Sequence, residues 1–192
     1  GSPIFVQGRT DSTLAVSFGQ SGTHLRSSSD WFPGFSDHTV SVWFKTQDAA
    51  NAQQIIYNTS PHTIEAVIIN SLDVIGTIAA CLGPGVDYWD FCGPMSNVTE
   101  EFDTWTHLVS VKQGVDLRLY LNGAQVFTAN GASYSPDYCG LYLGESSHAT
   151  GLTDHEFIGA FDDFGLWSRA LSESEIQGLY LTVAPVIGCT DT

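Results

Sequence analysis

The stretch FIGAFDDFGLWSRALSESEIQGLY, from Phe157 to Tyr180, decides the fold. Its first half reads as a strand. Ile158, Ala160, Phe164 and Leu166 alternate with Phe157, Gly159, Phe161, Gly165 and Trp167, so both faces are largely apolar and both are expected to be covered. Asp162 and Asp163 sit in the middle of it. By simple alternation Asp162 shares the face of Ile158, Ala160, Phe164 and Leu166. An unpaired carboxylate among apolar side chains is costly, so a cation or several donors are expected beside Asp162. After Trp167 the period changes. Ser172-Glu173-Ser174-Glu175 is a capping box, in which the Ser172 hydroxyl accepts from the Glu175 amide and the Glu175 side chain reaches back. Ile176, Leu179 and Tyr180 then form the apolar stripe of a short helix.

Outward from that stretch the chain alternates repeatedly. Thr39 to Thr46 places Val40, Val42 and Phe44 on one face, and Ser41, Trp43 and Lys45 on the other. Leu14 to Phe18 reads as the first strand. Gln53 to Asn58 and Ile64 to Asn70 read as a hairpin across Ser60-Pro61-His62, and Val74 to Ala80 as a further strand. Trp105 to Lys112 and Asp116 to Leu121 follow. Asn122-Gly123 then turns the chain into Ala124 to Phe127, because both turn residues tolerate positive φ. Leu141 to Gly144 is another short strand. The segment from Leu82 to Thr104 has no period, and a loop of that length is expected to be functional or pinned by a disulfide. The helix after Ser172 is the one helix expected. Strands joined by short turns imply two packed antiparallel sheets.

Composition narrows the class. The chain has 192 residues, of which 43% are hydrophobic and 14% charged, as suits a globular sheet protein. Residues 3–192 are expected to form one domain, and Gly1-Ser2 reads as a cloning remnant. Six Lys plus Arg stand against 21 Asp plus Glu, a net charge of −15, so no nucleic acid partner is expected. No apolar run is long enough to insert in a membrane. The acidity fits adaptation for solubility, or carboxylates that hold a divalent cation, most naturally calcium with its preference for oxygen. The cysteines form no short metal-binding pair. Of the three pairings that four allow, Cys81–Cys92 around a Gly-Pro-rich loop and Cys139–Cys189 at the C-terminal tail are preferred. Disulfides point to a secreted or cell-surface location; Asn58-Thr59-Ser60 and Asn97-Val98-Thr99 are glycosylation sequons, which matter only in a eukaryotic source.

Several motifs, taken in order, carry a family resemblance. They are Trp105-Thr106-His107, then Leu119-Tyr120-Leu121-Asn122-Gly123, then Leu141-Tyr142-Leu143-Gly144. Gly159 with Asp162-Asp163, and Ser168-Arg169-Ala170-Leu171-Ser172 with Glu175-Ile176, complete them. From about Leu14 to Tyr180 the chain resembles laminin G-like domains of the concanavalin A-like lectin/glucanase superfamily. The resemblance implies an all-β, two-sheet antiparallel jelly-roll sandwich with one short C-terminal helical turn. It also implies bound calcium, with Asp162 as a ligand and backbone oxygens from the Gly19–Gly22 turn and Ser36-Asp37 beside it. Gly22 and Asp37 are thus candidate ligands. Where the family has Phe-Asp-Gly, this chain has Phe18-Gly19-Gln20, one acid fewer. The alternative for Asp162 is that it accepts backbone amides and needs no ion. Asp163 is either a second ligand or a partner for Arg169. In the family the histidine at His107 is structural and hydrogen-bonded.

Two loops are candidates for ligand contact. Asp87-Tyr88-Trp89-Asp90 offers rings beside carboxylates on a pinned loop, suited to stacking on a sugar or holding a peptide; alternatively, Trp89 and Phe91 form a small core for the loop. The loop from Glu145 to Glu156 carries His148, Asp154, His155 and Glu156. Asp154 and Glu156 match a rim calcium of the laminin G kind, and solvated loop charges are the alternative. Glycoside hydrolases of this fold carry Glu-x-Asp-x-x-Glu on one strand; Glu101-Phe102-Asp103-Thr104-Trp105-Thr106 lacks the last acid. No nucleophile, metalloprotease or phosphate-loop motif is present. The expected function is a non-catalytic extracellular recognition or adhesion module, part of a larger multidomain protein, binding a glycan or a protein or peptide ligand through rim loops with calcium. The alternative is a carbohydrate-active enzyme with a divergent site. A structural spacer is the third reading.

Overall fold

Alternation in β4 (His38–Thr46) buries Val40, Val42 and Phe44 on one face, each at 1% exposure or less. A computed structural model of the chain describes residues 4–19, 25–26, 37–47, 54–60, 63–69, 78–84, 103–129, 140–144 and 157–182. In 54–60, 63–69 and 78–84 it describes the backbone and the side chains of Val67 and Ile78. Twelve strands and one helix lie among these residues. The larger sheet has the order β1 (Ile4–Gln7), β2 (Leu14–Phe18), β12 (Gly159–Trp167), β4, β8 (Thr106–Gln113), β9 (Asp116–Leu121), β10 (Ala124–Ala129). The smaller has the order β3 (Leu25–Arg26), β11 (Gly140–Leu143), β5 (Gln54–Ser60), β6 (Thr63–Ile69), β7 (Ile78–Pro84). The ladders are antiparallel.

The two sheets meet through one apolar layer. Phe18, Val40, Val42, Phe44, Leu108, Leu117 and Leu119 from the larger sheet pack with Val67, Ile78, Leu141 and Leu143 from the smaller. This is the two-layer jelly roll that the alternating strands imply. Phe157 and Phe161 stack at 4.2 Å, and Phe18 lies 4.7 Å from Phe161, closing one end of the core with rings.

The other face of the larger sheet is covered in part by α1 (Glu173–Leu181). Leu171 and Ile176 pack with Val109, Val111 and Tyr120, flanked by Trp167, Ala170 and Leu179. The capping box forms as expected around Ser172. Arg169 grips Glu175 through two bonds of 3.0 and 2.5 Å. Bonds from Arg169, then from Ser172, hold the Glu175 carboxyl down at about 2. No helix among the described residues is long and apolar enough to cross a membrane.

Three features depart from simple reading of the sequence. β1 precedes the expected first strand; its residues are all exposed, so no burial alternation marks it. β7 runs on past Ala80 to Pro84, with Ile78 opposite Ile69 and Pro84 opposite Thr63, while Val74 to Thr77 lie outside the described residues. Pro84 is tolerated because β7 is at the edge of its sheet among the described residues. Third, β12 is bulged. Asp162 pairs with Trp43 and Gly165 with Ser41, so three steps on β12 span two on β4. Asp163 takes φ 45° there. The bulge inverts the parity of the strand. Phe161 points into the core before it, Phe164 and Leu166 after it. Asp162 therefore does not share a face with Phe164 and Leu166; it lies on the outer face with Ala160.

Candidate functional site

On that outer face the acidic pair of β12 meets the segment between β1 and β2. Asp162 Oδ2 accepts the Arg9 amide at 2.9 Å and the Thr13 hydroxyl at 3.3 Å, while Oδ1 accepts the Asp163 amide at 2.9 Å. Gly8 makes this approach possible: a Cβ there would stand 2.6 Å from Asp162 Oδ2. Arg9 Nη2 donates to Asp163 Oδ2 at 2.9 Å and to the Thr182 carbonyl at 2.8 Å. Asp163 is thus the partner of Arg9, not of Arg169, which is taken by Glu175. The result is a clip that fastens the N-terminal arm and the end of α1 to β12.

As placed, Asp162 and Asp163 do not fit a calcium site. Three donors already address the oxygens of Asp162, and the guanidinium of Arg9 supplies the cation beside Asp163. A second positive charge there would be repelled. Asp37 cannot join them. It is six residues along β4 from Trp43, the partner of Asp162, and six residues of strand span about 20 Å. Its Oδ1 accepts the Gly114 amide at 2.8 Å. Among the described residues no cluster of three or more His, Cys, Asp or Glu is arranged to hold a metal.

Beside the clip is a cleft of about 180 Å³, lined by Arg9, Ser41, Trp43, His107, Asp163 and Trp167, with Leu179 and Thr182 at its margin. The Arg9 guanidinium lies 4.4 Å from the centre of the Trp43 ring. Trp43 stacks on His107 at 4.9 Å and on Tyr180 at 5.8 Å. The Trp167 ring lies across Gly165, where any Cβ would strike it. Ser41 Oγ and His107 Nε2 are 2.9 Å apart, which bears out the hydrogen-bonded histidine. Burial first, then the charge of Arg9, push the His107 imidazole down to about 4, so it is neutral at physiological pH. His107 Nδ1 and Arg9 Nε are buried with no hydrogen-bond partner among the described residues. The sequence signalled His107 and the outward parity of Trp43. It gave no sign of Arg9, which is some 150 residues from its partners.

A second region gathers at one end of the sandwich. Register places Phe18 and Thr46 opposite Gly159, Thr106 opposite Phe44, and Leu25 opposite Leu143. Phe18 and Leu25 therefore lie at this end. So do Gly144 and Phe157, where the Phe157 amide donates to the Gly144 carbonyl at 2.9 Å. The described part of this rim holds Lys45 Nζ 3.4 Å from Asp103 Oδ1 and 5.6 Å from the centre of the Trp105 ring. Asp103, at φ 55°, donates its amide to the Thr46 carbonyl at 2.9 Å.

Gly22, in 20–24, and His148, Asp154, His155 and Glu156, in 145–156, lie outside the described residues. Asp87, Tyr88, Trp89 and Asp90 also lie outside them. Cys92, Cys139, Cys189 and Asn97 are outside as well. Cys81 and Asn58 are described only as backbone, opposite Ala66 and Tyr142 respectively.

A sequence profile of the concanavalin A-like lectin/glucanases superfamily, of laminin G type, matches residues 18–177. No curated protein sequence matches the chain. Among solved structures, the chain is similar to domain 4 of an extracellular arabinanase from Geobacillus stearothermophilus, in complex with arabinotriose. The TM-score is 0.75 at 17% identity, over 94% of this chain and 82% of that one. A heptameric SAP-like pentraxin from Limulus polyphemus matches at TM-score 0.66 and 18% identity, over 86% and 81%. A putative carbohydrate binding protein from Bacteroides ovatus matches at 0.66 and 16%, over 89% of this chain and 48% of that one.

Proposed function

Because the chain belongs to the concanavalin A-like lectin/glucanases superfamily, we propose that it is a non-catalytic, extracellular recognition module that binds a glycan at its rim. One observation carries the choice of rim. Segments 19–24 and 145–156 are each anchored at both ends to the same end of the sandwich. The described residues that flank them, Phe18 and Leu25, and Gly144 and Phe157, lie at the end that holds Trp105, Lys45 and Asp103, and the sequence supplies His148, Asp154, His155 and Glu156 between Gly144 and Phe157. Rings with carboxylates and imidazoles are the groups that read sugar hydroxyls and pack against sugar faces. Fold alone does not choose the ligand. The sugar-bound arabinanase domain and the putative carbohydrate binding protein among its structural neighbours favour a glycan over a peptide.

In this reading calcium is a rim ion. Asp154 and Glu156 supply its carboxylates and the Gly22 carbonyl a further oxygen, a donor set of the kind calcium takes. Asp162 and Asp163 are left to the clip. The module works as one part of a larger secreted or surface protein.

A glycan array and a peptide array, each run with calcium and with chelator, test the reading. Binding to a defined set of glycans, weakened at least tenfold by Trp105→Ala and abolished by chelator or by the double variant Asp154→Asn/Glu156→Gln, is expected. Binding to peptides alone, or glycan turnover in place of retention, would overturn it.

A further inference from the structure

The rings of Trp43, His107 and Tyr180 lie under pieces of chain that are each anchored elsewhere. We propose that this cover is an acid-released latch: protonation of His107 frees Arg9 and the end of α1 from β12 while both sheets stay folded.

His107 has no place for a second proton. Its Nε2 is 2.9 Å from Ser41 Oγ, and its Nδ1 is buried with no partner among the described residues. The neutral ring can carry its proton on either nitrogen. The imidazolium carries one on both. Whichever tautomer is protonated, an Nδ1–H is left buried with no acceptor, and such a donor costs its full desolvation. Charge adds to the cost. Arg9, from the segment between β1 and β2, and Asp163, on β12, are the charges that act on His107. Burial opposes the imidazolium most, Arg9 next, and the opposing pull of Asp163 is the weakest of the three. Asp162, beside Asp163, is bound by the Arg9 amide. The other groups packed on the ring are Trp43 and Ser41 of β4, Tyr180 of α1 and Asn122, which accepts the His107 amide. None of these four carries a charge at acid pH.

The cover can lift without the sheets. β1 is exposed at all four residues and pairs with β2 alone among the described residues. Helix α1 is held through Leu171 and Ile176, which pack with Val109, Val111 and Tyr120 in a cluster apart from His107. What closes the stack is Arg9, bonded to Asp163 and to the Thr182 carbonyl, and the Tyr180 ring. Leu181 and Thr182 beyond that ring are exposed. Breaking the Arg9 bonds and the ring contacts uncovers His107 and leaves the β4–β8 ladder and the core between the sheets in place. Local openings of this kind cost less than global unfolding. The imidazole titrates at about 4 when covered, against 6.5 when solvated. By linkage, the ratio of open to closed latch therefore rises about twentyfold between pH 7 and pH 5.

Solvent exchange of backbone amides, followed by NMR between pH 7 and pH 5 with and without sub-denaturing urea, tests the latch. The Arg9 amide, which donates to Asp162, and the Thr182 amide, which donates to the Gly178 carbonyl, report on it. The amides of β8 and β9 report on the sheet. After correction for intrinsic exchange, opening at Arg9 and Thr182 should rise about twentyfold over that range. Low urea should leave it nearly unchanged, because little surface is exposed. The β8 and β9 amides should exchange more slowly throughout and should accelerate in urea. His107→Gln should hold the opening at Arg9 level across the range. The wild-type ring resonances of His107 give a check that needs no variant, and their midpoint should fall well below 6.5. Opening at Arg9 that does not change with pH, or that matches β8 and β9 in rate and urea dependence, would overturn the proposal. So would the same rise in folded His107→Gln, which would assign the acid effect to other groups, or a wild-type midpoint at 6.5.

Discussion

Two acidic regions of this molecule invite the same first reading and stand differently in relation to the strands. Asp162 and Asp163 lie within a strand, and the chain's own donors reach them: the Arg9 amide, the Thr13 hydroxyl, the Asp163 amide and the Arg9 guanidinium. Asp154 and Glu156 fall in the sequence between β11 and β12, outside the described residues; of their flanks, the Phe157 amide donates to the Gly144 carbonyl. A carboxylate inside regular structure must be satisfied by the fold or it destabilises it. One on a loop end carries no such requirement. Sequence position relative to the strands, not the presence of an acid, separates a structural clip from a candidate ligand site.

The largest expected effect tests how closed the clip region is. His107 titrates at about 4 in the fold against 6.5 in the unfolded chain, first because it is buried, then because Arg9 stands near. The folded state resists the proton, so its contribution to stability is complete above pH 6.5 and is lost as the pH falls toward 4. A shift of this size corresponds to about 3 kcal/mol. Chemical denaturation at a series of pH values should show that slope between 6.5 and 4, and His107→Gln should flatten it. A flat wild-type profile would mean that the stack of Trp43, His107 and Tyr180 opens to water, and would remove the contrast with the rim.

The next effect breaks the clip itself. Asp162→Ala leaves the Arg9 amide and the Thr13 hydroxyl without their acceptor and should cost about 2 kcal/mol, as expected for lost hydrogen bonds to a charged group. The loss should be the same with calcium and with chelator, because the donors are protein atoms. Thermal unfolding of the variant and the parent in both buffers measures it. A loss seen only when calcium is present would return the ion to Asp162.

Much of this was legible beforehand, and the reasons for the rest are physical. Period-two alternation in 39–46, 105–112 and 116–121, with the Asn122-Gly123 turn, yields the larger sheet, because one face of each strand must be apolar. The capping box gives α1. The inversion at Asp163 was invisible, since one left-handed residue changes the parity of everything after it and aspartate is compatible with either parity. Assigning Asp162 to the face of Leu166 followed from counting by twos through a bulge. Arg9 was invisible for a different reason: its partners are some 150 residues away, and no local pattern encodes that distance. The family resemblance groups Asp37 with Asp162, whereas β4 separates it by six residues from Trp43, the partner of Asp162. Which loops share an end was also hidden, because it depends on register between strands.

The smallest expected effect is at the rim, and its smallness is the point. If Asp154 and Glu156 serve an external ion, their carboxylates hold no strand in place. The double variant Asp154→Asn/Glu156→Gln should therefore change stability in chelator by no more than about 0.5 kcal/mol, the range of surface substitutions away from structural features. With calcium the parent should gain stability by mass action, since an ion that binds only the folded state at 100 times its Kd adds about 2.7 kcal/mol. The variant should gain nothing. Melting curves across a calcium titration separate the two proteins. Equal gains would place the ion away from these two acids; a large loss in chelator would make Asp154 and Glu156 a second clip, and the two acidic regions would then be alike.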